Sequence, residues 1–225
     1  MFFRKDYSTP GPGVDPDAPE KTGVRRFLEI LQLECGSLLK LNLLFLLASV
    51  PLVTLPLSLF AMNEVVCRMV RDEPVDCFYH FRTAFRRWKT AYAAFFLVAV
   101  PVLGAGYGAL TYLRFAAANP LFFLPFMLCS TVFLAAAFAS TYFYALLGAG
   151  RTVREALRPA LVLGVAKPLR ALLAALSTYG LTVLAALAFP ISALYLLLIG
   201  FSIPCLLGGF FVRTVVRPLI HPSEQ

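Results

Sequence analysis

Charge is scarce in this chain. Asp, Glu, Lys and Arg make up 14% of its 225 residues, against 60% hydrophobic ones. A soluble globular domain carries about a quarter charged residues, so the composition excludes that class. Histidine is rarer still. His80 and His221 are far apart, and neither has a nucleophile or carboxylate at a spacing that acid–base chemistry would use. Five cysteines (Cys35, Cys67, Cys77, Cys129, Cys205) are scattered with no C-x-x-C and no grouping with His, Asp or Glu. No metal site, disulfide framework or cofactor is therefore expected, and the thiols read as small apolar side chains. No G-x-x-x-x-G-K-[ST] loop is present, which excludes a self-powered ATP-driven pump. With no catalytic constellation, the chain is not expected to be an enzyme. The start, MFFRKDYSTPGPGV, has no apolar core ahead of its charges and prolines, so membrane insertion is expected to rest on the first span.

What is present is apolar sequence in long runs. Leu38 to Arg71 reads LLKLNLLFLLASVPLVTLPLSLFAMNEVVCRMVR, interrupted by Pro51 and Pro56. Proline removes a backbone donor and pushes the preceding residue out of the helical region. Two helices folded back on each other are expected, with a turn built from Pro51, Thr54 and Pro56. The formal charge of +8 suggests nucleic acid until the Lys and Arg are placed. They lie in short segments between apolar runs, as the positive-inside rule demands, so the expected partner is the lipid bilayer and not nucleic acid.

In order, residues 1–23 form a polar Pro/Gly-rich tail, 24–217 a single membrane domain, and 218–225 a short C-terminal tail. Spans are expected at about 36–50, 53–70, 91–113, 121–147, 171–189 and 191–212, the last pair turning at Pro190. The fold class is an all-α polytopic transmembrane bundle of about six spans, or five if the first hairpin were one. The hairpin reading puts every basic segment on one side and leaves only Arg114 opposite, with both termini cytoplasmic. Two amphipathic cytoplasmic elbows, about 74–90 and 148–167, link the spans. The first carries Phe81, Arg82, Phe85, Arg86, Arg87 and Trp88 as a candidate docking face, with Phe78, Phe81, Phe85 and Trp88 recurring every three or four residues.

The unusual side chains at membrane depth are Lys40 and Asn42 in the first arm of the hairpin and Asn63 and Glu64 in the second. Asn42 and Glu64 are equally far from a turn at Val53, which places Lys40 within reach of Glu64. Charged groups there pair or line a wet cavity. One reading is a polar ligand contact; the other is an interhelical Lys–Glu and Asn–Asn clamp.

The stretches YSTPGPGVDPDAPEKTGVRRFLEIL, LLKLNLLFLLASVPLVTLP and FYHFRTAFRRWKTA resemble the YesL family of bacterial integral membrane proteins, also called DUF624. The family's turn continues with a Gly-Pro-Ala segment where this chain has Leu55, Pro56 and Leu57. The resemblance implies a bacterial cell membrane protein associated with carbohydrate ABC transport systems, with ABC permease subunits as partners. The expected function is that of an accessory protein acting through helix–helix and elbow contacts. The alternative is an autonomous small-solute transporter or channel, compatible with a homodimer.

Overall fold

The structure, a computed structural model, describes residues 23–71, 73–116 and 119–220. The tail up to residue 22, His221 and the end of the C-terminal tail lie outside the described residues. Every regular element among those described is helical.

Helix α1 (Val24–Leu33) is amphipathic, burying Ile30 and setting Phe27 edge-on against Phe210 with ring centroids 5.5 Å apart. The chain then bends by 71° into α2 (Cys35–Ser49). The break that follows falls at Pro51, while Pro56 sits in the first turn of α3 (Leu55–Val70), where its missing N–H costs nothing. Helix α4 (Cys77–Phe85) folds back on α3 and leads into α5 (Trp88–Ala116). Helices α6 (Phe123–Gly148) and α5 form a long antiparallel pair. Helix α7 (Val153–Ala166) opens with a Thr152–Glu155 capping box and folds back on α6, as α4 does on α3. The next span, Pro168–Leu187, is α8 (Pro168–Ala175) and α9 (Leu181–Leu187) joined by a π turn at Leu176–Gly180. After a cis Phe189–Pro190 bond come α10 (Ala193–Leu198) and α11 (Ser202–Ile220).

Among the described residues, four helices are long and apolar enough to cross a bilayer: Leu52–Val70, Trp88–Ala116, Pro120–Gly148 and Pro168–Leu187. The bent α1–α2 pair makes a fifth if it counts as one span. One expectation needs correction. The stretch 191–212 is not one helix, because the chain breaks between Leu198 and Ser202. In the first hairpin the second arm lies within the Leu52–Val70 span, whereas the first arm reaches spanning length only when joined to α1. With 15 residues, α2 is roughly 22 Å long, short of a hydrocarbon core of about 30 Å. In addition, the Tyr92 hydroxyl donates to the Val53 carbonyl at 2.6 Å. Tyr92 lies about 6 Å into α5, and the far end of that helix is about 36 Å further on. The hairpin tip therefore rests beside the second turn of α5, not beside its far end.

Helix α3 is the centre of the bundle. Phe60, Val65, Val66 and Met69 are buried against Leu38 and Leu41 of α2, Phe143 and Leu146 of α6, and Leu206 of α11. By contrast, α5 and α6 expose apolar rows such as Val100, Leu103, Tyr107 and Leu110, which suit lipid contact. Lipid tails are as apolar as these side chains, so the helices associate through close packing of small residues. A Cβ on Gly148 would come within 2.6 Å of Cys67 Sγ, and one on Gly208 would overlap the Thr178 hydroxyl. A Cβ on Gly104 would meet nothing within 4 Å.

Gly148→Ala is expected to lower stability by about 1–3 kcal/mol through overpacking, and Gly104→Ala to leave it unchanged. Thermal unfolding of the two variants in one detergent distinguishes them.

Candidate functional site

Asn42 is fully buried and occupies the break between α10 and α11. Its Nδ2 donates to the carbonyls of Leu196 (3.0 Å) and Leu197 (2.8 Å). Its Oδ1 accepts from the N–H groups of Phe201 (3.0 Å) and Ser202 (3.2 Å). A side-chain amide has two donors and two lone pairs, and all four are used on the two cut helix ends. Gly200 is required between them, because a Cβ there would press into the Leu196 backbone. The Gly200–Ser202–Pro204 spacing is a stop-and-start signal that the reading of one continuous span passed over.

Glu64, 6% exposed, is the most buried described carboxylate. It pairs with Arg87 at 3.4 Å and with Arg68, one turn along α3, at 3.7 Å. The Arg87 guanidinium also lies 5.1 Å from the centre of the Phe60 ring. This pair pins the α4–α5 junction to α3. Around it, Arg68 and Arg71 both pair with Glu73 at 3.1 Å, and Arg71 donates to the Gly148 carbonyl at the end of α6 at 3.3 Å.

The four polar side chains of the hairpin thus do not form one cluster, and the expected Lys–Glu and Asn–Asn clamps are absent among the described residues. Glu64 takes its partners from the basic elbow and its own helix, and Asn42 from the broken helix. Asn63 donates to the Leu59 carbonyl at 2.8 Å and accepts from the Cys205 thiol at 3.4 Å. Lys40 is exposed with no ion pair among the described residues. Its charge is instead felt at Cys77, whose thiol burial pushes up, partly offset by its contact with Ser37 and by Lys40. Equal distance from a turn fixes depth only for ideal antiparallel helices. Helix α4 folds back on α3, and the turn that follows it supplies Arg87.

At the turn, the Thr54 hydroxyl reaches the carbonyls of Ala48 and Pro51, satisfying groups that the proline break frees. Ser49 does not share this role; its hydroxyl is buried without a partner among the described residues. In the elbow, Phe81 is buried, Phe85 and Arg87 are half-buried, and Arg82 and Arg86 are exposed. Two details correct the expected aromatic face. Phe78 points outward, and Trp88 belongs to the first turn of α5 because α4 ends at Phe85.

Sequence reasoning missed a cavity of about 450 Å³ enclosed by α2, α3, α5, α6, the Pro168–Leu187 span and α11. Its wall is mainly apolar. The polar groups on it are largely engaged: Thr178 with the Pro204 carbonyl (3.3 Å), Tyr179 with the Ser140 hydroxyl (2.8 Å), Thr182 with the Thr178 carbonyl (2.7 Å). The π turn brings Thr178 and Tyr179 to the wall together. Such turns recur at functional sites, although their sequence signal is weak.

These features define an all-helical integral membrane protein with a broken helix, an elbow anchored by a buried ion pair and one apolar cavity. Residues 38–112 match the family described as a protein of unknown function, DUF624. The match bears out the resemblance seen in the sequence; it runs from α2 into α5 and leaves the Pro-Gly-Pro-Gly tail outside. Neither a curated protein nor a solved structure matches the chain.

Replacing Asn42 by Leu leaves several helix-end groups unpaired and is expected to cost about 2 kcal/mol or more, whereas Lys40→Leu stays within about 0.5 kcal/mol. Chemical unfolding in mixed micelles measures both. A double-mutant cycle on Glu64→Gln and Arg87→Leu is expected to show coupling of about 0.5–3 kcal/mol, and the same cycle with Lys40 in place of Arg87 none.

Proposed function

We propose that this chain is an integral membrane accessory protein that docks a partner through its cytoplasmic elbow. The observation supporting this reading is the elbow itself. Helix α4 packs Phe81 and Ala84 against the bundle, and Glu64 holds Arg87, so the helix sits in a fixed pose. Its outer face then offers Phe78, Tyr79, Arg82 and Arg86, aromatic and basic residues of the kind enriched at interface hot spots. The family resemblance suggests the permease subunits of a carbohydrate ABC system as the partner, in a bacterial cell membrane with both termini on the cytoplasmic side. No enzymatic step is part of this role.

A second reading, a small-solute transporter acting alone or as a homodimer, draws on the broken α10–α11 helix. Unwound segments of that kind form substrate sites in transporters. Here Asn42 already occupies four of the groups at the helix ends, so the accessory role is preferred.

The test is purification of the tagged chain from its native membrane in mild detergent. Permease subunits are expected to be recovered with it, and the Arg82→Glu, Arg86→Glu variant to lose them by roughly tenfold or more, equivalent to about 1.4 kcal/mol. Recovery of the chain alone, together with solute flux in vesicles containing nothing else, would overturn the proposal in favour of the transporter.

A further inference from the structure

We infer that the cavity holds one acyl chain of a membrane lipid, which enters sideways between Leu103 of α5 and Val183 of α9. Size is the first argument. About 450 Å³ falls in the range of roughly 300–1,000 Å³ seen for small-ligand sites, far more than an ordinary packing defect.

Wall chemistry is the second. A sugar or ion entering the cavity sheds water and must find donors and acceptors in exchange. Asn63, Thr141, Thr178, Tyr179 and Thr182 already spend hydrogen bonds within the protein. Tyr144 is the one lining hydroxyl with no partner among the described residues. A single free hydroxyl in a wall of Leu, Val, Phe and Ala suits an apolar occupant.

Shape is the third. On α5 the lining residues Phe95, Val98, Ala99 and Val102 form a stripe about 10 Å long, and on α3 Leu55, Leu59, Met62 and Val66 form one of about 16 Å. The space is a slot along the helices.

The mouth is the fourth. Leu103 and Val183 both line the cavity, yet they are 69% and 56% exposed. Each lies fifteen residues into a helix long and apolar enough to cross the membrane. The slot therefore opens where lipid tails are the solvent. An empty apolar slot forfeits dispersion contacts along its whole lining, and a lipid tail is the apolar molecule at hand to restore them.

The test uses the full chain in phosphatidylcholine vesicles containing a phospholipid with a diazirine midway along one acyl chain. After irradiation, labelled peptides are mapped by mass spectrometry. Labelling at Met62, Val98 and Thr182 is expected to exceed that at the outward-facing Leu124 and Leu128 by roughly tenfold, the ratio that a preference of about 1.4 kcal/mol gives. Ala99→Phe and Val102→Phe, which fill the slot, should remove the excess and leave labelling at Leu124 and Leu128 unchanged. Even labelling of cavity and outer face in the unaltered protein would overturn the inference, as would an excess that survives in a filled variant. A different apolar molecule released from the purified protein in stoichiometric amount would overturn it as well. The mapping on the unaltered chain decides the matter even if a filled variant fails to fold.

Discussion

Inside a bilayer no water is available to pair a stray backbone N–H or C=O, so every break in a helix must be satisfied by the protein. This constraint organises the bundle. The chain cuts its last apolar run between Leu198 and Ser202, and the amide of Asn42 closes both cut ends with four hydrogen bonds. One side chain thereby fixes α2 against α10 and α11, and α3 packs on both α2 and α11. The break at the hairpin turn is met in the same way by Thr54.

The charged residues follow a related logic. A buried carboxylate is tolerable only when paired. Glu64 finds Arg68 on its own helix and Arg87 at the end of the elbow. That pairing turns the elbow from a flexible connection into a positioned one, and its exposed face is the surface proposed for a partner. The cavity sits on the other side of the same central helix, with most of its polar groups bonded to backbone carbonyls. The proposed docking face and the proposed lipid slot are compatible in one small membrane protein, since α3 supports both.

Much of this was legible in the amino-acid order. The apolar runs, the prolines and the placement of Lys and Arg mark the membrane helices, the hairpin at Pro51 and the elbow at about 74–90. Each is a local property, set by backbone chemistry or by transfer between water and lipid. The site residues were legible only in part. Asn42 and Glu64 are conspicuous because polar groups at membrane depth are costly. Their partners lie 154 to 160 and 23 positions further along the chain, and pairing within one hairpin is the only geometry that spacing can suggest. Phe78 and Trp88 fit a helical period on paper. The turn at Arg86–Arg87 puts them on separate surfaces.

The sequence by itself therefore determined that this is a helical membrane protein, where its helices lie and which polar residues demand an explanation. Tertiary structure alone decided that Asn42 serves a broken helix, that Glu64 belongs to the elbow, that the first hairpin stops beside the second turn of α5, and that packing leaves a slot at the centre. The reason is physical. Hydropathy and backbone preference act over a few residues, whereas hydrogen bonds, ion pairs and voids depend on which distant helices meet, and small residues such as Gly148 and Gly208 set how closely they do so.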